Sequence, residues 1–271
     1  MLDSPLQPLP TRHAFASITG TPLLAGAHGP VRHAAPRASD GQHARHIAET
    51  LALLGDTLQP QKRIVRAGDL LYRAGERFDC LHVLNSGMVK VVKLTADGRE
   101  QVVGIKFRGD WLGLDGIARG TYGCDGVAMD TGEVWSFRYD ALLASCSRHP
   151  ALLAALHAGM SLEIARDRES LMSVCTLPAD ARVADFLRFI AESLAARGMR
   201  TDQITLRMTR AEIGNYLGLT LESVSRALSR LARDKVIAFV EKGRRDVQIP
   251  DLQALADFVQ RCISPEAVTL Q

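Results

Sequence analysis

Glu222, Ser225 and Arg226 are the residues of this chain whose types and spacing best suit a chemical task. An arginine fork can donate two parallel hydrogen bonds to guanine O6 and N7. A carboxylate can accept from a cytosine amino group, and a small hydroxyl can contact almost any base edge. Glu222 is the most telling of the three. A carboxylate weakens attraction to phosphates, so it would be out of place on a surface that bound DNA by charge alone. The same triplet also suits a solvated helix face with an i, i+4 Glu–Arg pair. Spacing alone leaves both readings open.

The elements that would position the triplet lie in residues 209–231, TRAEIGNYLGLTLESVSRALSRL. Thr209 and Glu212 have the spacing of a capping box. Ile213 and Leu217, four apart, predict a buried stripe. Gly218 suits the left-handed cap that ends a helix, and Thr220 can cap a second one. There Val224, Leu228 and Leu231 fall at i, i+4 and i+7, which makes one face core. Glu222, Ser225, Arg226, Ser229 and Arg230 point outward. Two helices joined by so short a turn match a helix-turn-helix.

Residues 236–240 and 247–249 read as a two-stranded hairpin with the basic tip EKGRR between them. Thr209, Arg210, Thr220, Ser229 and Arg230, with Lys242 and Arg244 at that tip, are expected to contact the DNA backbone. The whole chain carries a net charge of only +3. Residues 207–245 hold nine Lys or Arg and four Asp or Glu, a local net of +5. The basic residues therefore concentrate where a phosphate footprint would lie.

At 271 residues the chain has room for one large or two modest domains, and 46% apolar residues suffice for their cores. No run approaches the roughly 18 apolar residues needed to span a membrane. The N-terminus lacks a signal-peptide pattern, so a cytoplasmic protein without a membrane partner is expected. The five cysteines, at 80, 124, 146, 175 and 262, form neither a CxxC pair nor a disulfide framework. No acid/base or nucleophile constellation shows by spacing, which argues against an enzyme.

Residues 1–46 hold six of the eleven prolines and five of the eight histidines. They predict a disordered tail. His13, His28, His33, His43 and His46 do not amount to a metal site, because only the last two are close in sequence and no cysteine joins them. A short amphipathic helix follows over residues 47–58.

Residues 60–140 change character. Short apolar runs alternate with turns at Gly75, Gly87, Gly98 and Gly109, every 11 or 12 residues. That rhythm predicts an antiparallel sandwich or barrel, with Asp97-Gly98 as a hairpin turn. After Pro150 the pattern is helical to Thr176. Leu153, Leu156, Met160, Ile164, Leu171 and Val174 form its stripe, interrupted at Asp167. These seven residues are the expected dimer interface, since a second copy is the simplest surface on which to bury them. Packing on the chain's own β domain is the alternative, and both can hold on different faces of the helix. One more helix over residues 179–198 leads to the reading motif.

The order of parts and the residues themselves resemble the CRP/FNR family of bacterial transcription regulators, from about Arg66 to Ile249. MTRAEIGNYLGLTLESVSRAL looks very like the FNR branch. The stretches RAGDLLYRAGERFDCLHVLNSGMVKV and DGREQVVGIKFRGDWLGLDGI carry the resemblance in the β domain. It implies an α+β fold: an N-terminal β-roll (a cyclic-nucleotide-binding-like jelly roll), a long dimerisation helix and a C-terminal winged helix-turn-helix. The expected boundaries are 1–46 for the tail, 47–149 for the β-roll, 150–176 for the helix and 177–260 for the DNA-binding domain.

The resemblance further implies that Glu222, Ser225 and Arg226 read a TTGAT-type half-site, and that a homodimer binds its inverted repeat. It places Thr95, Asp97, Gly98 and Arg99 where RNA polymerase is contacted. Two departures concern cofactors. No cysteine precedes Cys80, and Trp135 falls at the β-domain ligand position, so an iron–sulfur cluster is not expected. The cyclic-AMP signature is also absent. Gly113-Leu-Asp-Gly116 and Tyr122-Gly-Cys124 stand in the matching region without its phosphate-binding arginine, and Arg119 is displaced in sequence. Neither cofactor is expected. The remaining alternatives are a regulator with no ligand, thiol sensing through Cys124, and an unidentified effector in the β-roll.

Overall fold

The computed structural model describes residues 38–95, 98–240 and 245–263. Helix α1 (Ala38–Leu58) leads into strands β1 (Gln61–Val65), β2 (Leu70–Tyr72), β3 (Cys80–Ser86), β4 (Val89–Leu94), β5 (Glu100–Lys106) and β6 (Trp111–Leu112). The short helix α2 (Gly116–Arg119) precedes β7 (Asp125–Ala128) and β8 (Gly132–Arg138). Helices α3 (Tyr139–Cys146), α4 (Pro150–Thr176) and α5 (Ala179–Ala195) follow. The C-terminal part is β9 (Gln203–Thr205), α6 (Arg210–Leu217), α7 (Leu221–Arg233), β10 (Ala238–Phe239), β11 (Asp246–Gln248) and α8 (Leu252–Ile263).

Two antiparallel sheets, ordered β1-β8-β3-β6 and β2-β7-β4-β5, face each other across Val65, Tyr72, Leu84, Val89, Leu112, Tyr122 and Val134. The glycine rhythm marks their turns. Gly75, Gly87, Gly98 and Gly109 have φ of 83°, 85°, 77° and 87°, where a side chain would be strained. The strands β3, β6 and β8 of the first sheet are buried on both faces. The other side of that sheet, with Leu81, Val83, Trp135 and Phe137, packs on Leu51 and Leu54 of α1, Leu142 of α3, and Leu152 and Leu156 of α4. Strand β3 is therefore buried continuously from Leu81 to Leu84, His82 included, rather than on alternate residues.

Helix α1 corrects the expected tail boundary. Residues 38–46 are helical, because the helix extends past its amphipathic part to reach neighbours far along the chain. Ile47 packs against Gly109, and Ala44 approaches Gly198 beyond α5. His43 and His46 lie on this helix, whereas His13, His28 and His33 fall outside the described residues. Helices α2, α3 and α8 and strand β9 lie outside the elements that the spacing predicts. In α8 the signal was present, since Leu255, Phe258 and Val259 recur at helical spacing and are buried.

Helix α4 is starker. Leu156, an expected dimer residue, is only 4% exposed and belongs to the core against its own β domain, with Met160 partly buried beside it. Leu153, Ile164 and Leu171 are exposed, as are Leu162 and Met172, which the stripe did not include. The long helix thus has two apolar faces, one packed on its own β domain and one exposed, and the sequence stripe runs across both. Val174 is half-buried and packs toward Gly218.

A buried carboxylate joins three parts of the molecule. Asp110, in the β5–β6 turn, accepts from Arg197 beyond α5 at 2.7 Å and from Arg166 of α4 at 2.8 Å. It also accepts the Phe107 N–H at 2.9 Å. Arg197 donates further to the Arg108 carbonyl and lies over the Phe107 ring. Burial pulls its pKa down. Around this node Val92, Val102, Ile105 and Phe107 of the β domain share one apolar core with helices α5 to α8.

Candidate nucleic-acid interface

The reading motif forms as its residues dictate. The Thr209 hydroxyl accepts the Glu212 N–H at 3.2 Å, and Glu212 accepts the Thr209 N–H at 2.7 Å, which closes the capping box at the start of α6. Gly218 ends the helix with φ 64°, the left-handed conformation glycine adopts without strain. At Gly214 a Cβ would stand 2.6 Å from the Leu219 carbonyl oxygen, so only glycine lets the turn fold back this closely. Thr220 caps α7 by accepting the Ser223 N–H at 3.1 Å. Val224, Ala227, Leu228 and Leu231 are fully buried and set the roll of α7 about its axis.

That roll leaves Glu222 and Arg226 exposed and Ser225 half-buried on the opposite side. Arg226 keeps one weak partner, the Ser223 hydroxyl at 3.3 Å. Hydrogen bonds from its own backbone N–H and from the Thr220 hydroxyl hold Glu222 below the ordinary glutamate range, with Arg226 adding to the effect. Glu222 is therefore an ionised acceptor at neutral pH, as contact with a cytosine amino group requires.

The expected backbone contacts divide. Thr209 and Thr220 sit at the two helix starts, and Ser229 is exposed. Arg210 lies over the Phe239 ring. Arg230 is turned toward α5, paired with Asp180 at 2.6 Å and near Phe258. Lys242 and Arg244 lie outside the described residues. The strands that flank their tip form a small sheet, ordered β10-β11-β9.

A helix-turn-helix with this open face, joined to a β-roll by a long helix, can be set beside known proteins. Residues 62–149 match the cyclic nucleotide-binding domain, and residues 181–258 match the Crp-like helix-turn-helix domain. The transcriptional regulatory protein btr of Bordetella pertussis is 32% identical over 200 residues, covering 74% of this chain and 83% of that protein. The chain belongs to the CRP/FNR family. The fumarate and nitrate reduction regulatory protein of Escherichia coli is 31% identical to it over 201 residues, covering 74% of this chain and 79% of that one. The structure of FixK2 from Bradyrhizobium japonicum has a TM-score of 0.65 at 26% identity, covering 73% and 96%. CRP/FNR proteins are transcription regulators and not enzymes, and this chain is a transcription regulator with a DNA-binding helix-turn-helix. Among the described residues no helix is long and apolar enough to cross a membrane.

In the sensor-like half of this CRP/FNR chain, Tyr72, Phe78 and Tyr122 pack on one another between the two sheets. Tyr122 donates to the Cys80 carbonyl at 2.6 Å and stacks on Tyr72, 4.4 Å between ring centres. His82 lies between the Ser136 hydroxyl at 2.8 Å and the Tyr122 hydroxyl at 3.3 Å. Burial pushes its pKa down to about 4, with Arg63 adding, so it is neutral at pH 7. The Gly123 N–H is taken by the Asp115 carboxylate at 2.8 Å. Cys124 beside it has its thiol pushed up, first by burial and then by Asp115. Trp135 is 8% exposed, hydrogen-bonded to Glu133 and packed beneath Gly55 of α1. Among the described residues no three His, Cys, Asp or Glu side chains converge as metal ligands. At the tip of the β4–β5 hairpin, Thr95 donates its N–H to the Arg99 carbonyl and accepts the Gly98 N–H, both at 2.9 Å. Asp97 of that turn lies outside the described residues.

Proposed function

We propose that two copies of this chain bind an inverted repeat of the type TTGAT-N4-ATCAA, each inserting α7 into a major groove. The observation that carries this reading is the open Glu222–Ser225–Arg226 face, held outward by a fully buried opposite side. Arg226 reads guanine, Glu222 the cytosine amino group, and Ser225 a neighbouring edge. The exposed apolar row of Leu153, Ile164 and Leu171 on α4 supports pairing with a second copy. The hairpin tip of Thr95, Asp97, Gly98 and Arg99 is the surface offered to RNA polymerase. Activation is supported by one relative, the transcriptional activator protein Anr of Pseudomonas protegens, 32% identical over 183 residues.

The signal reaching this regulator is neither an iron–sulfur cluster nor a cyclic nucleotide in this reading. An indole beneath α1 at position 135 offers no thiolate, and the four cysteines of the β domain and α4 do not converge with other ligands. A cyclic phosphate would find the Gly123 N–H taken by Asp115 and a tyrosine at 122 turned inward. The raised thiol of Cys124 speaks against a reactive thiolate there. An unidentified effector is the second reading, and it predicts weak DNA binding by the protein alone.

Fluorescence anisotropy of the full chain on that duplex, with single-base variants, tests the proposal. Arg226→Ala should lose about 1–3 kcal/mol of specific binding per half-site, with non-specific binding changed far less. A variant that still discriminates the guanine position would show that Arg226 is not its reader.

A further inference from the structure

The β2-β7-β4-β5 sheet ends on β5, an edge strand whose outer side has peptide groups to satisfy. Helix α6 of the reading motif covers that edge. The Asn215 side chain donates its Nδ2 to the Glu100 carbonyl at 2.6 Å and accepts the Val102 N–H on Oδ1, also at 2.6 Å. The carbonyl of residue i and the N–H of residue i+2 point the same way along a strand. One carboxamide thus fills the place of a neighbouring strand's peptide group. Gln101 donates its side chain to the Asn215 backbone carbonyl. One helical turn earlier, Glu212 pairs with Lys90 of β4. Burial works against the charge on Glu212, but hydrogen bonds from Lys90 and Thr209 outweigh it and hold the carboxyl below its ordinary range. The same glutamate closes the capping box, so the sheet grips the residue that starts the reading motif.

We propose that Asn215 is a positioning residue for DNA reading, one that docks α6 on the open edge of β5 and thereby fixes the reading helix relative to the sensor domain. The side-chain chemistry is selective. A carboxamide presents one donor and one acceptor at the required separation. Aspartate lacks the donor, and alanine lacks both. Asn215 lies on the sheet side of α6, whereas Glu222, Ser225 and Arg226 lie on the open side of α7. Loss of the contact should therefore change where the two readers stand and leave what each one reads unchanged. This proposal rests on the dimeric reading above for its effect on DNA, while the contact itself is testable without DNA.

The experiment uses the full chain and two variants, Asn215→Ala in the motif and Gln101→Ala in the sensor sheet. Neither touches the buried face of α7 or the capping box. Amide hydrogen exchange at Val102 reports the contact directly. Anisotropy is then measured on inverted repeats whose spacers run from two to six base pairs, roughly bracketing the expected spacing, with a one-base change in a half-site as the second series. Asn215→Ala is expected to expose the Val102 amide, weaken binding to the preferred repeat roughly tenfold and flatten the spacer preference. The discrimination ratio for the one-base change should stay as in wild type. Gln101→Ala should move the same readouts in the same direction and less far. A Val102 amide that exchanges as slowly in Asn215→Ala as in wild type overturns the docking role, whatever the DNA result. An exposed amide with wild-type spacer preference, or with tighter binding, overturns the positioning role. A wild-type protein with no spacer preference sinks the dimeric reading, and Asn215 is then judged by the exchange and by its affinity for one half-site.

Discussion

Helix α7 serves one core and helix α4 serves two. In α7 the residues Val224, Ala227, Leu228 and Leu231 all face the interior of the DNA-binding domain, and Glu222, Arg226 and Ser229 on the other side are exposed. In α4 the residues Leu152 and Leu156 face the β domain, while Leu153, Ile164 and Leu171 make a second stripe roughly a quarter-turn away. A helix with one apolar face is finished once it is packed, and its polar face is free for a ligand. A helix with two is finished only when something covers the second. The reading surface and the association surface thus arise from the same amphipathic principle, applied once in α7 and twice in α4.

The sharpest way to break this comparison is to shorten one leucine on each face of α4. Leu156→Ala should cost about 2–5 kcal/mol of folding stability, because it leaves a cavity in a closed core. Leu171→Ala removes an exposed side chain, so it should leave the unfolding of a dilute monomer almost unchanged and weaken dimerisation. Chemical denaturation and sedimentation velocity on the two variants separate these effects. Equal effects of both substitutions on association would mean that the faces are not distinct.

A smaller effect is expected at Asp167, which lies beside the second stripe. Its pKa is raised, first by burial and then by Glu163. Arg166, which could have neutralised it, is committed to Asp110. Asp167→Ala should tighten the dimer by about 1 kcal/mol, through relief of like-charge contact across the two-fold axis. The raised pKa of the folded single chain adds folding stability in acid that is lost as pH rises through the raised value. The dimer is expected to tighten in acid as well, because protonation removes the like-charge contact across the axis. Asp167→Ala should lack this dependence. Sedimentation across a dilution series at two pH values checks both points, and a variant that dissociates more readily would make Asp167 a partner in an ion pair instead.

The smallest effect concerns α7 itself. Asp180 holds Arg230 away from the place where a phosphate contact was expected. Exposed pairs of this kind are worth about 0–1 kcal/mol, so a phosphate can compete for the arginine. Asp180→Asn should raise non-specific DNA affinity modestly and steepen the dependence of log K on log salt by about 1. An unchanged salt slope would mean that Arg230 does not reach the backbone even when released.

Local chemistry made the reading motif legible. The Thr209–Glu212 box, the Gly218 stop, the Thr220 cap and the i, i+4, i+7 core of α7 are all interactions within a few residues of one another. Sequence spacing specifies such contacts directly. The glycine turns of the β-roll were legible for the same reason, since a positive φ is a property of one residue. The sequence by itself therefore determined the domain order, the helix-turn-helix and the direction in which Glu222 and Arg226 point. Only the tertiary structure decided which face of α4 is covered, that residues 38–46 continue α1, and that Arg230 turns to Asp180. It alone brought Asp110, Arg166 and Arg197 together, and Asn215 onto the edge of β5. Each of these depends on partners far apart in the chain, and a polar side chain carries no mark of which distant backbone group it will satisfy.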